Sequence, residues 1–303
     1  MYRKILIPIA VALLATGRAA LADLDVVTTT TDLAAIAEAV GGDHVEAFSL
    51  TPGTRDPHYA EAKPSMIRRV HRADLFLAVG ADLEIGWLPA VLRAGRNADV
   101  LPGATGFLDL STAARLLDVP SGPVSRAMGD VHPRGNPHYW LDPENGRLMA
   151  RAIAARLALL DPDGAQAYAD GLAAFEAGLD RKLPDWRAAL TPLRGRPVVA
   201  YHTSFRYLSV AFGFNIVDLV EPKPGIAPTA SHLNGLVARI AAQDIGLLIV
   251  EPYYERRSSQ FLSDKTGIRV AVVPQSVGAE EGIKTYFDLF DGVVAALGAR
   301  EGP

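Results

Sequence analysis

The 303 residues contain no cysteine. This excludes disulfides, thiolate metal sites and cysteine nucleophiles, so any metal must be held by His, Asp or Glu. It also excludes the lipid-attachment cysteine of a bacterial lipoprotein. Beyond the first residues no run is apolar and long enough for a transmembrane helix. Positive charge is in deficit, with 30 Lys and Arg against 34 Asp and Glu. That balance argues against nucleic acid or an anionic membrane surface as a partner. Glycine (27) and proline (21) are close to average use, which excludes a low-complexity or fibrous chain.

What is present begins with a secretory signal. Arg3 and Lys4 precede an apolar run from Ile5 to Ala15, and Ala20-Leu21-Ala22 is a small-x-small cleavage site. Arg18 sits unusually close to that site. Residues 1–22 are therefore read as a signal peptide, which places the mature chain in the periplasm without a lipid anchor. Cleavage after Ala22 removes Arg3, Lys4 and Arg18 and no acid, taking the formal net charge from −4 to −7. The remaining length is enough for one large core or two ordinary ones.

Apolar periodicity predicts alternating strands and helices on either side of one long helix. Asp25 to Thr31 reads as a strand, with Asp32 capping a helix that carries Leu33, Ile36 and Val40. His44 to Leu50 reads as a strand, Pro52 to Pro64 as a loop and Ser65 to His71 as a short helix. Leu75 to Gly80 reads as a buried strand, Leu83 to Ala94 as a helix and Pro102 to Pro137 as loops. Asp142-Pro143-Glu144 starts the next helix: an acid at the cap, proline in the first turn and glutamate at the positive end of the dipole. Asp163 to about Leu190 repeats apolar residues every three or four positions, with a break or kink expected at Pro184. Strands are then expected at Val198–Tyr201, Ile216–Val220, Leu247–Val250 and Val270–Val273. They alternate with helices at Phe205–Phe212, Ser231–Gln243, Ser258–Thr266 and Ile283–Leu297. Such units imply mostly parallel sheets flanked by helices. The division is an N-terminal lobe over 23–162, a linking helix over 163–192 and a C-terminal lobe over 193–303.

Three of the seven histidines stand where an imidazole can face a cleft. His58 lies in Asp56-Pro57-His58-Tyr59, in the loop after a strand. His138 lies in Asn136-Pro137-His138-Tyr139-Trp140, just before the capped helix. His202 follows a strand directly, and in open parallel sheets ligands bind beyond the C-terminal strand ends. Three imidazoles favour zinc over magnesium or calcium, and zinc usually takes four ligands. Glu251, at the end of the strand Leu247–Val250, is the natural fourth donor; the competing reading is a buried acid that caps a helix or pairs with Arg256 or Arg257. His44, His71 and His232 read as surface or hydrogen-bonded residues. His132, six residues before His138, is either a loop residue or an auxiliary ligand.

Taken together, the ordered segments Thr28–Leu33, Asp56–Tyr59, Leu77–Glu84, Asn136–Pro143, Tyr201–Tyr207 and Val250–Pro252 resemble the metal-specific periplasmic solute-binding proteins of ABC importers, the zinc- and manganese-binding group. The resemblance spans essentially the whole mature chain. It implies two α/β lobes joined by a spine helix that limits lobe motion, and binding without catalysis. The cargo would be a divalent metal passed to a membrane permease, with a metallochaperone as a further candidate partner and a monomer as the expected state. It assigns metal ligation to His58, His138 and His202, and histidine at the third of these favours zinc over manganese. The family often supplies an aspartate near the C-terminus, where this chain has Val273-Pro274-Gln275-Ser276. Gln275 is a poor zinc ligand, which leaves the fourth position to Glu251 or water. A pronounced His-rich loop before His138 is also missing. A zinc hydrolase is the alternative, but no His-Glu-x-x-His run is present. An adhesin or a sugar or amino-acid binding protein fits the His segments less well.

Overall fold

The computed structural model describes residues 24–125 and 128–298. The signal peptide expected over residues 1–22 lies outside them. Two parallel sheets form. The first has strands β1 (Leu24–Thr28), β2 (Val45–Ser49), β3 (Leu75–Ala78) and β4 (Phe107–Asp109) in the order β2-β1-β3-β4. The second has β5 (Pro197–Ala200), β6 (Asn215–Leu219), β7 (Leu247–Val250) and β8 (Arg269–Val272) in the order β6-β5-β7-β8. The two orders are the same pattern. Each reverses direction beside its first strand, and there the loops leaving adjacent strand ends diverge and open a crevice.

Helices α1 (Thr31–Gly41), α2 (Pro64–Arg72), α3 (Leu88–Gly95) and α4 (Pro143–Leu160) accompany the first sheet. The spine α5 (Ala165–Ala189) follows, and α6 (Arg206–Phe212), α7 (Ala230–Gln243), α8 (Arg257–Thr266) and α9 (Tyr286–Gly298) accompany the second. Asp142 caps α4 as expected, its carboxylate accepting the Glu144 N–H at 2.9 Å. The 25 residues of α5 span about 37 Å at 1.5 Å per residue. The helix runs on through Pro184, where a break or a kink was expected, so it is not broken there. Its apolar face, with Tyr168, Phe175, Leu179, Leu183 and Trp186 buried, holds it in place.

Three expectations are corrected. Asp32 does not cap α1: the cap is Thr30, and the Asp32 carboxylate instead accepts the Val277 N–H from the other lobe at 2.9 Å. Leu83–Trp87 is not yet helix, because Ala81 and Asp82 adopt positive φ (49° and 66°) and the Glu84 carboxylate accepts the Val79 and Gly80 N–H groups, folding a turn. The stretch Pro102–Pro137 is not all loop, since β4 pairs with β3 at the sheet edge. Three residues are too few to show an alternation.

One hydrophobic cluster runs through both lobes and joins Leu33, Leu77 and Trp140 to Phe175, Ala200 and Phe290. Trp140 is fully buried and donates its indole N–H to the Gln275 carbonyl at 2.8 Å, while Tyr286 Oη donates to the Trp140 carbonyl at 2.5 Å. Thr31 Oγ1 donates to the Val277 carbonyl at 2.6 Å. A shared core with these cross-lobe bonds permits a tilt of the lobes, not a wide hinge, because opening would strand buried polar groups.

Burial holds the Asp32 carboxyl at a pKa of about 7, from an ordinary value of 3.8. The folded chain therefore keeps a proton that the unfolded chain has released between these values, and stability contributed by the neutral form is lost as pH rises through this window. In chemical denaturation of the metal-free protein, Asp32→Asn should gain stability relative to the parent between pH 5 and pH 8, by on the order of 1 kcal/mol or more. A difference independent of pH would contradict the assignment.

Candidate metal centre

The C-terminal strand ends of the two sheets face each other, and the loops that leave them carry the site. His58 stands in the loop after β2, His202 just after β5 and Glu251 just after β7. His138 precedes α4, in a segment wedged between the lobes. There Asn136 Nδ2 donates to the Thr203 carbonyl at 2.9 Å, Tyr207 Oη donates to the Asn136 carbonyl at 2.6 Å, and Tyr139 Oη donates to the Val79 carbonyl at 2.6 Å.

The structure brings His58, His138 and His202 together. Each offers a ring nitrogen, and these nitrogens all lie within 4.8 Å of one another. The ring centroids form a nearly equilateral triangle with sides of 5.1, 5.4 and 5.8 Å. His138 and His202 are 1% and 2% exposed and His58 is 9% exposed, so His58 is the outermost of the three.

Each imidazole is aimed by a local oxygen. His58 Nδ1 lies 2.7 Å from Asp56 Oδ1, His138 Nδ1 2.9 Å from Asn136 Oδ1, and His202 Nδ1 2.7 Å from Glu221 Oε2. An oxygen acceptor requires Nδ1–H, which leaves Nε2 as the lone-pair nitrogen of each neutral ring; Thr203 Oγ1 lies 3.3 Å from that of His202. His138 Nε2 is buried and has no hydrogen-bond partner, an arrangement that is costly unless a cation takes up the lone pair. In both Asx-Pro-His segments the same oxygen also accepts the histidine backbone N–H, at 2.9 Å for Asp56 and 3.0 Å for Asn136. This is an Asx turn, and proline between the two residues limits its conformations.

Electrostatics differ around the triangle. Burial and the neighbouring imidazoles hold His138 well below the usual histidine range, so it stays neutral. Burial also opposes charge on His202, but the Glu221 hydrogen bond and the charges of Glu251, Glu221 and Asp56 outweigh it, and its pKa is raised. For Asp56, burial is outweighed by hydrogen bonds and charge from His58, and its pKa is lowered. Glu251 is fully buried and is pushed up to about 7. Its oxygens are buried without a partner in good hydrogen-bond geometry, the Ser204 hydroxyl being a side-chain group that eases its ionisation, and they meet neither Arg256 nor Arg257 among the described residues. It lies outside the group of three imidazoles. Gln275 is also buried, its amide oxygen accepting from the Tyr253 hydroxyl.

The remaining histidines divide. His71 Nδ1 meets the Gly95 carbonyl at 2.9 Å, His232 Nε2 meets the Leu219 carbonyl at 3.0 Å, and His44 packs edge-on to Tyr168. His132 is different: its Nε2 lies 3.2 Å from His58 Nε2. Burial and the His58 charge hold its pKa down at about 4. A cavity of about 410 Å³, lined by Tyr59, Asp82, Ile85 and Trp87 among others, opens onto His58 and His132.

Sequence reading missed the orienting oxygens. Asp56 and Asn136 were visible as the repeated Asx-Pro-His tripeptide, whose first residue can fold back on the third. Glu221 follows two residues after β6, the neighbour of β5, so strand order was needed to place it beside His202.

The model of a family described as zinc-uptake complex component A, periplasmic, matches residues 26–299. The chain is 28% identical over 280 residues to the high-affinity zinc uptake system protein ZnuA of Haemophilus ducreyi, covering 89% of each. It is 26% identical to the manganese ABC transporter substrate-binding lipoprotein PsaA of Streptococcus pneumoniae, covering 82% of this chain and 78% of that protein. A crystal structure of a zinc-bound ZnuA deletion mutant superposes with a TM-score of 0.75 at 26% identity, covering 91% of this chain and 97% of the other. With a match over nearly its whole length, this chain belongs to the family of the periplasmic zinc-uptake component A.

Proposed function

We propose that this protein is a periplasmic carrier that captures one divalent metal ion between its lobes and passes it to the permease of an ABC importer, with zinc as its cargo in preference to manganese. The observation that carries the reading is the set of three buried imidazoles, each with Nδ1 tied to an oxygen and Nε2 turned to a common point. Imidazole donors suit zinc, whereas manganese favours oxygen donors. Relatives are named for both metals, so the preference rests on the donor set of this chain. His58, His138 and His202 are the proposed ligands. Glu251, the fourth donor expected from the sequence, would supply a buried negative charge beside His202 and would have to approach the cluster to coordinate. Its charge and that of Glu221 offset the cation in a low-dielectric interior.

Binding without catalysis fits ligands drawn from both lobes, which clamp an ion instead of presenting it to a substrate. A monomer suffices, since one chain supplies the whole site. Export through the signal peptide would bring the chain to the compartment where it meets its permease, and a metallochaperone could load it there. Among the described residues no helix is long and apolar enough to cross a membrane.

The mature protein should bind one zinc ion. His58→Ala, His138→Ala and His202→Ala should each weaken it by more than the roughly 10–100-fold that loss of an orienting partner costs. Calorimetric titration with affinity unchanged in all three variants would sink the ligand assignment.

The pH dependence follows from the raised pKa of His202. At neutral pH part of the metal-free population carries a proton there, and the metal must displace it. Zinc binding at pH 7 should release protons, and affinity should fall as pH drops through neutrality. Glu221→Gln should release fewer protons and bind roughly 10–100-fold more weakly. Titrations in buffers of different ionisation enthalpy check this, and proton release identical to the parent would contradict it.

A further inference from the structure

We infer that His132 is the fourth metal ligand, carried into the site by a loop latched to both lobes. The inference rests on the metal-binding reading above and adds a donor to it. His132 and His58 lie with ring centroids 5.3 Å apart and planes tilted by 30°, and their Nε2 atoms are separated by 3.2 Å. His58 donates its Nδ1 proton to Asp56, so its Nε2 is a bare lone pair aimed at the facing His132 nitrogen. Two nitrogens held at that distance need a proton or a cation between them. Zinc–nitrogen bonds of about 2.0–2.1 Å in a tetrahedron give an N···N edge of about 3.3 Å. The pair therefore already has the spacing of two ligands on one ion.

The loop is held where this requires it. Asp130 accepts a hydrogen bond from the Tyr59 hydroxyl of the first lobe at 2.5 Å, and its backbone N–H donates to the Pro224 carbonyl of the second at 2.8 Å. Arg134 pairs with Asp109 at 2.7 Å on the other side of His132. Close approach to the second lobe depends on glycine: Gly225 has φ +73°, and a Cβ there would come within 2.1 Å of the Asp130 carboxylate. A histidine in the middle of a segment fastened at both ends is positioned, not loose.

The other candidates for the fourth position are worse placed. Gln275 offers a neutral amide already engaged by Tyr253. Glu251, like His132, lies outside the group of three nitrogens, but it is fully buried and neither of its oxygens comes within hydrogen-bond distance of an imidazole nitrogen. His132 instead lines the open cavity together with His58. An ion entering there meets this outer pair before the more deeply buried His138 and His202, and unlatching the loop removes one donor.

The test uses the mature protein loaded with cobalt(II) or zinc. His132→Ala should change the visible ligand-field spectrum of bound cobalt, weaken zinc by at least about 10-fold and speed its dissociation. Added free imidazole, entering the cavity, should restore the parental spectrum. Tyr59→Phe, which unfastens Asp130, should speed zinc dissociation while leaving the cobalt spectrum as it is. A parental spectrum and dissociation rate in His132→Ala, or a spectral change in Glu251→Gln with none in His132→Ala, would overturn the assignment. An unchanged dissociation rate in Tyr59→Phe would overturn the latch. Failure of the underlying reading looks different: the parent would bind no metal, or would bind it equally well without His58, His138 and His202.

Discussion

Three imidazoles converge inside the protein interior, each aimed by a hydrogen bond at its Nδ1. That constraint organises the rest of the molecule. Each ring is committed by the hydrogen bond of its Nδ1, so its orientation is fixed. His138 Nε2 is left buried and unpaired as a result. An unpaired buried acceptor is unfavourable by about 1–3 kcal/mol, a cost that a cation at the common point removes. The rings are thus fixed in position by the protein itself. Little conformational freedom is left for the ion to freeze out, which is the condition for tight binding.

Holding rings from two lobes in one triangle requires the lobes themselves to be held. The segment Asn136–Asp142 does this by bonding to both: Asn136 to Thr203, Tyr139 to Val79 and Trp140 to Gln275. The spine α5 and the continuous core beneath it oppose a wide opening of the lobes. Buried acids add to the same frame. Glu84 folds the turn after β3 with its carboxylate on two backbone N–H groups, and Asp32 ties α1 to the loop at Val277. Carboxyl groups surround the cluster, with Asp56 on His58, Glu221 on His202 and Glu251 beside them, while His138 Nδ1 is held by the neutral Asn136 amide.

The parallel α/β architecture and the three histidines were legible in the sequence for a physical reason. Strand and helix periodicities differ, and His202 follows an apolar strand directly, where the fold places ligands. The site's supporting oxygens were not. Glu221 reaches His202 only because β6 lies beside β5, a fact of sheet order that no local pattern carries. Asp32 looked like a helix cap because it stands at the right offset, but a tertiary bond to Val277 overrides the local preference. The helix expected from Leu83 starts late because Ala81 and Asp82 take a left-handed conformation fastened by Glu84. His132 could be noticed by its spacing from His138, yet its contact with His58 depends on Asp130 bonding to both lobes. Such a contact is a property of the folded chain, not of the loop.

The central claim is that one ion is clamped by imidazoles drawn from both lobes. X-ray absorption at the zinc edge, combined with anomalous diffraction from the zinc-loaded protein, tests it most directly. The account predicts a single ion at the centre of the His58–His138–His202 triangle, with nitrogen-dominated coordination at about 2.0–2.1 Å. An ion held by one lobe alone, or a shell composed mainly of oxygen, would contradict it.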